Sequence, residues 1–374
     1  MKKKPLVLWG IAAILLVSYV AILFMAIKDN RAHIQQKMYD DWREHYLVSS
    51  KQGDIVNTAA KGKTALSEAQ GYGMVIVTLA AEKGFAKEAD FEKLYRYYTH
   101  YQISEKKPLM QWRQAETKKG WVSDSKHNAT DGDLDIAYSL LMASKLWPNS
   151  KHDYKTAAQN LLQAIKAYNY NPHTGFLTVG DWATVDEKAS QILRPSDIMP
   201  GYFDAFYKFT GDRFWQQLND RGIELLQQLS AQHKTGLMPD FAWIKDNRVI
   251  AAKANEVNNK YDGDYSANAC RIPLRLAQSN DKRLAPILSK MLRFFEKENM
   301  VFAGYNLKGK ALVDYQNQSF SAPVLVGAYH EDPYSGLVTS QKWVIQEPIH
   351  GQNYYDETLK VLSVLEMYKN LDVK

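Results

Sequence analysis

A single cysteine, Cys270, in 374 residues leaves the chain no internal disulfide and argues against zinc-finger and thiol-redox chemistry, both of which need clustered cysteines. Its plain role is that of a small buried residue. Long tracts of Pro, Ser, Gly or Gln are also lacking, so nothing marks a linker, a disordered tail or a second domain. Charge of one sign is concentrated nowhere: 47 Lys and Arg oppose 41 Asp and Glu, and the resulting +6 is scattered along the chain. A nucleic-acid-binding stripe is therefore not indicated, although weak attraction to anionic wall or membrane surfaces is compatible with it. Strand signals are few and short, and the strand–helix alternation that a parallel sheet requires is missing.

What is present begins with a long apolar run. Lys2, Lys3 and Lys4 precede an uncharged stretch from Pro5 to Ile27, long enough as a helix to cross a hydrocarbon core of about 30 Å. It exceeds the roughly 7–15 apolar residues of a cleavable signal and ends in Leu23, Phe24 and Met25 rather than in small residues. Residues 1–28 are therefore expected to form an uncleaved, single-pass signal anchor with its lysines in the cytoplasm, although Lys28 and Arg31 on the other flank weaken that bias. The body would then lie outside the cytoplasm, attached to the cell membrane, or be secreted if the N-terminus is removed. A buried core helix is the plainer alternative. Residues 29–48 read as a polar stalk or first helix, and residues 49–374 as one catalytic body.

That body alternates segments of helical period with glycine-bearing turns. Apolar residues recur at spacings of three and four over Ile136 to Trp147, Tyr154 to Tyr168, Phe203 to Phe209, Phe214 to Leu229, Leu284 to Glu296 and Tyr355 to Tyr368. Between them stand related turn phrases, Lys119-Gly120-Trp121, Thr174-Gly175-Phe176, Thr235-Gly236-Leu237 and Ala303-Gly304-Tyr305, each separated by about two helices and their loops. An all-α toroid of helical hairpins is expected, with an open α-solenoid as the competing arrangement. The 9 Trp and 23 Tyr suit a surface that stacks on sugar rings, a weak signal because most aromatic residues are core.

Two segments carry chemistry beyond composition. Ser67-Glu68-Ala69-Gln70-Gly71-Tyr72-Gly73-Met74 sets a carboxylate at the start of an apolar helix that Ser67 could cap. A Glu in a first helical turn is also simply stabilising there. The second segment, Thr130-Asp131-Gly132-Asp133-Leu134-Asp135, places three acids at alternate positions. It is no EF-hand, since Ile136 and Met142 stand where that loop needs Gly and Glu, and no metal or other cofactor is indicated. Capping by Asp131 or Asp133 accounts for one or two of the acids but not for all three.

Together these segments resemble glycoside hydrolase family 8, which includes endoglucanases, xylanases, chitosanases and the cellulases that accompany bacterial cellulose synthases. Further phrases agree in order: Gly180-Asp181-Trp182, Pro200-Gly201-Tyr202-Phe203, Gly236-Leu237-Met238-Pro239-Asp240-Phe241 and Arg271-Ile272-Pro273-Leu274-Arg275. The resemblance implies an (α/α)6 barrel with an acidic cleft and hydrolysis of a β-linked polysaccharide with inversion. Glu68 would be the general acid, and Asp131 the acid that holds the central sugar in a distorted ring. The family's usual base is the Asp of a Tyr-Asp-Ala-x-Arg phrase, but this chain reads Ala267-Asn268-Ala269-Cys270-Arg271. A neutral amide cannot take up the proton. As in the chitosanase branch, which shares this Asn, the base could come from the loop upstream, with Asp264, Asp262 and Glu256 as candidates. A substrate group could instead assist the water, or the ring could bind glycan without cutting it. Trp112, Trp121, Trp182, Tyr202 and Tyr265 are candidate sugar platforms, with Asn268 and Arg271 as hydrogen-bonding partners. A polysaccharide substrate, the membrane through residues 5–27 and an exopolysaccharide synthase complex are the expected partners.

Overall fold

The computed structural model describes residues 4–298, 300–331 and 336–367. Thirteen helices run in chain order among them: α1 (Lys4–Tyr46), α2 (Ser67–Glu82), α3 (Glu88–His100), α4 (Thr130–Leu146), α5 (Tyr154–Asn169), α6 (Pro200–Thr210), α7 (Arg213–Gln232), α8 (Ile272–Ala277), α9 (Ala285–Lys297), α10 (Gln318–Glu331), α11 (Gly336–Gln341), α12 (Trp343–Gln346) and α13 (Tyr354–Met367). Each segment of helical period falls on one of them, though Tyr368 lies outside the described residues.

Six of the helices close a ring. Helix α2 packs on α4, α4 on α6, α6 on α8, α8 on α10, α10 on α13, and α13 returns to α2. An outer layer pairs with it: α3 on α2, α5 on α4, α7 on α6, α9 on α8 and α10, and α1 on α13. Sequence explains which helix goes where. Thirteen residues of α2, from Ser67 to Ala80, are buried almost without interruption, as are thirteen of α4, so both need small or apolar residues on every side. Helices α7 and α9 bury one stripe only, including Trp215, Leu218, Leu225 and Leu229 in α7, and turn charged residues outward. The four glycines of the turn phrases, Gly120, Gly175, Gly236 and Gly304, all have positive φ, a conformation that a side chain disfavours.

The two ends of the ring differ. At one end the helices of each pair are joined briefly, by residues 83–87, 147–153, 211–212 and 278–284. At the other end the chain makes long excursions over residues 101–129, 170–199 and 233–271. These excursions carry short antiparallel sheets, one joining Thr64–Leu66, Arg113–Thr117 and Gly120–Ser123 and another joining Ile192–Leu193, Ala242–Lys245 and Arg248–Ala251.

Helix α1 is continuous over 43 residues. Its later part belongs to the barrel: Met38, Tyr39, Trp42 and Tyr46 are buried, and Trp42 Nε1 donates to Thr358 Oγ1 of α13 at 2.9 Å. Its earlier part leaves Trp9, Ile14, Val17 and Met25 exposed. Among the described residues no helix is long and apolar enough to cross a membrane, so the expected span is not established by the fold. Part of that span lies outside the described residues, namely the side chains of residues 5–8, 10, 11, 22, 24, 26 and 27.

Candidate active site

The long-loop end brings together the starts of α2, α4 and α13. Helix α2 is pinned there because the amide of Ser67 donates to the carbonyl of Trp112 at 2.9 Å. Helix α4 is pinned by Thr130, whose hydroxyl donates to the Thr178 carbonyl at 2.6 Å and whose amide donates to Val179. The two helices then approach at backbone distance through a pair of glycines. A Cβ on Gly71 would sit 2.8 Å from the Gly132 carbonyl, and one on Gly132 would sit 2.6 Å from Ser67 and 2.7 Å from the Glu68 amide. This closeness delivers Glu68 and Asp131 to one guanidinium.

That guanidinium is Arg271, almost wholly buried. Its Nη1 donates to Glu68 Oε2 at 2.8 Å, to the Tyr72 hydroxyl at 2.9 Å and to Asp131 Oδ2 at 3.1 Å. Its Nη2 donates to Ser196 Oγ at 2.8 Å and to Asn268 Oδ1 at 3.1 Å. Asp131 Oδ2 also receives Arg194 Nη1 at 2.5 Å, and its Oδ1 accepts the amide of Gly132 at 2.9 Å. Glu68, whose side chain is 19% exposed, has among the described residues only Arg271 and a longer contact from the Tyr354 hydroxyl at 3.4 Å.

This unequal sharing separates the two carboxyls. Burial opposes ionisation of both. At Asp131 it is overcome by Arg194 and Arg271, which hold the carboxylate down to about 2. At Glu68 burial wins over Arg271, and the neighbouring charge of Asp131 adds to it, so the carboxyl is raised above its ordinary value. A carboxyl with a raised pKa beside a carboxylate with a lowered one, part open to solvent, suits proton donation to a leaving group.

The three acids of the second motif have three different duties. Asp131 enters the site. Asp133 is turned away, accepting the Met110 amide at 2.9 Å and Asn128 Nδ2 at 2.7 Å, and burial raises it to about 8. Asp135 pairs with Arg275 at 2.7 Å inside the ring. The expected helix caps are absent: Ala129 and Leu66 hold the capping positions of α4 and α2 without side-chain bonds, and the Ser67 hydroxyl has no partner.

Asn268 is part of the Arg271 network rather than of the solvent. Its amide N–H and those of Ser266 and Ala269 donate to Asp240 Oδ1 at 3.0, 3.1 and 2.7 Å. Asp240 is buried, and burial raises it to about 6 despite these donors. The three base candidates differ. Asp262 is corrected as a candidate: it is fully buried and accepts the amides of Val257, Asn258 and Asn259, so it folds the loop from within. Glu256 is exposed and clamps the same loop, accepting Trp243 Nε1 at 2.8 Å and the Lys253 amide at 2.9 Å, donors that lower its pKa. Asp264 is half-buried, raised by desolvation, and its backbone carbonyl accepts the Asp240 amide at 2.8 Å, one residue contact from Asn268.

The aromatic candidates divide in the same way. Trp112 and Trp182 are 39% and 43% exposed, and Trp121 is half-buried against Tyr97. Tyr202 and Tyr265 are corrected as platforms. Tyr202 is buried and stacked on Tyr138 at 3.8 Å, and Tyr265 is buried between Phe295 and Phe320. Sequence reasoning also missed Arg194, Asp197 and Tyr354. Asp197 lies 3.6 Å from Arg194 and 3.9 Å from Arg271, and burial raises it to about 7. A charged pair in Arg194-Pro195-Ser196-Asp197, ahead of an apolar helix, was the available signal; Tyr354 had none. Among the described residues no group of three His, Cys, Asp or Glu converges as a metal ion would need.

The chain is similar to known proteins over nearly its whole length. The family model for glycosyl hydrolases family 8 matches residues 12–369. A beta-glucanase of Niallia circulans is 30% identical over 344 residues, covering 89% of this chain and 83% of that protein. An endoglucanase of Bacillus sp. (strain KSM-330) is also 30% identical, over 89% of this chain and 75% of that protein. The apo structure of a beta-1,3-1,4-glucanase from Paenibacillus sp. X4 has a TM-score of 0.82 and 28% identity, covering 91% of this chain and 92% of that one. With a closed ring of six inner helices, an acidic site at its long-loop end and a family match over nearly its whole length, the chain belongs to glycosyl hydrolase family 8 and is a glycoside hydrolase with the (α/α)6 barrel fold.

Proposed function

We propose that the enzyme hydrolyses a β-linked glucan with inversion at the outer face of the cell membrane, with Glu68 as general acid. The observation that carries the reading is the shared Arg271 contact, at which the pKa of Asp131 is lowered and that of Glu68 is raised. Similar proteins named beta-glucanase, endoglucanase and beta-1,3-1,4-glucanase support a glucan as substrate. Protonated Glu68 donates to the glycosidic oxygen as the bond to the anomeric carbon breaks. Asp131 accepts hydroxyls of the sugar whose ring flattens. A water on the opposite face attacks and gives up its proton to a carboxylate.

Inversion requires that carboxylate to stand about 6.5–9.5 Å from the acid, leaving room for the water. Asp264 takes that role in this reading, because it is the candidate nearest Asn268 in sequence and, among the described residues, no hydrogen bond or ion pair holds its carboxylate. Glu256 is the second candidate, ionised and exposed. Trp112, Trp121 and Trp182 supply sugar platforms. The apolar, exposed first part of α1 supports a membrane anchor, and an exopolysaccharide synthase is the matching partner. Asn268 motivates a rival reading, a ring that binds glycan without cutting it. Release of reducing ends from a β-glucan by the wild-type chain, abolished by Glu68→Gln, supports hydrolysis; retention of intact oligosaccharide over long incubation supports the rival. Loss of turnover in Asp264→Asn but not in Glu256→Gln identifies the base.

A further inference from the structure

Helix α1 is aligned along α13 by three hydrogen bonds. Along it, Gln35 Nε2 donates to the Val364 carbonyl at 2.9 Å, Trp42 to Thr358, and the Tyr46 hydroxyl to Glu357 Oε2 at 2.5 Å. As numbers rise along α1 they fall along α13, so the two helices are antiparallel. Tyr46 lies at the start of α13, its ring 6.3 Å from that of Tyr354, whose hydroxyl reaches Glu68. The end of α1 therefore stands beside the active site. Its beginning leaves the barrel past the opposite, short-turn end.

The departing part of the helix carries an apolar run whose described side chains are mostly exposed. Trp9 is 77% exposed, and Ile14, Leu15, Leu16, Val17, Tyr19, Val20, Leu23 and Met25 are exposed with it. Among the described residues the first buried one is Gln35. At 1.5 Å per residue, Gln35 stands about 12 Å beyond Ile27, the end of the apolar run, and Tyr46 about 28 Å beyond it. No break interrupts the helix between them.

Resting on the anchor reading above, we infer that the short-turn end of the barrel sits against the bilayer and that the cleft opens away from it, held there by an unbroken helix rather than a flexible tether. The enzyme then meets glucan chains that lie beyond the membrane surface, roughly one barrel height out, instead of a strand emerging flush with the lipid.

The test uses the full chain reconstituted in phosphatidylcholine vesicles carrying an acceptor-labelled lipid. Cys270 is buried and its thiol is pushed up by burial, so a dye goes selectively to an introduced cysteine. Lys151→Cys places a donor at the short-turn end and Lys119→Cys at a hairpin tip of the long-loop end; both positions are exposed. Energy transfer to the lipid is expected to be at least about twofold greater from position 151, given a barrel tens of ångströms high. Equal or reversed transfer in a chain that floats with the vesicles overturns the orientation and leaves the anchor standing. A chain that does not float overturns both. Four Gly-Ser residues inserted between Ala32 and His33 are expected to bring the two efficiencies together while activity on soluble glucan is kept, and unchanged efficiencies with that activity kept overturn the role of the helix.

Discussion

At the scale of single residues, the proposed chemistry turns on how one guanidinium is divided between two carboxyls. Asp131 has two guanidiniums and an amide while Glu68 has a share of one, so the pKa of Asp131 is lowered and that of Glu68, pushed up by burial, is raised. Glu68→Gln removes the donor and keeps the shape, and kcat is expected to fall about a hundredfold or more while the substrate still binds. If Glu68 is the acid, activity is expected to decline as pH rises through its pKa, which burial raises from its ordinary value. Asp131 contributes to that elevation. Asp131→Asn is therefore expected to shift the basic limb of the kcat/KM profile to lower pH, in addition to lowering its height. An unmoved limb would separate Glu68 from Asp131 electrostatically. Trp112→Ala and Trp182→Ala, at exposed positions, are expected to raise KM severalfold with little change in Tm. Glu68 and Asp131 were singled out in the sequence because the phrases that hold them carry the family resemblance. Arg194 and Asp197 were not, since a charged pair beside a proline reads as surface until the fold buries it.

At the scale of elements, the site depends on the approach of α2 and α4. Gly71 and Gly132 permit backbone contact, and no other residue type fits without moving one helix. Gly132→Ala is expected to cost about 1–3 kcal/mol by overpacking, read as a lower midpoint in denaturant. Activity should fall further than the stability loss explains, since the displaced atoms are those of Ser67 and Glu68. The helices themselves were legible from their period, and the turn phrases from their glycines, because both signals are local. The excursions at the long-loop end were not. Asp262 and Tyr265 looked available because they flank Asn268 in sequence; the loop instead folds back on its own amides and sends both side chains inward. Position along the chain does not reveal which side of a loop faces the cleft.

At the scale of the whole molecule, ring closure is what converts separate hairpins into a site. Glu68, Asp131, Arg194, Arg271 and Tyr354 come from stretches spread over nearly 300 residues, and only the return of α13 onto α2 places Tyr354 beside Glu68. The toroid was foreseeable from repeated helix–turn phrases and from the family resemblance, whereas the division into a short-turn end and a chemical end emerges only from the folded chain. The measurement that tests the central claim most directly is proton NMR of the full chain in detergent acting on a short β-glucan oligosaccharide, following the anomeric form of the first products. The account predicts that α-anomers appear first and mutarotate later, and that Glu68→Gln releases none. First-formed β-anomers, or undiminished release by Glu68→Gln, would contradict it.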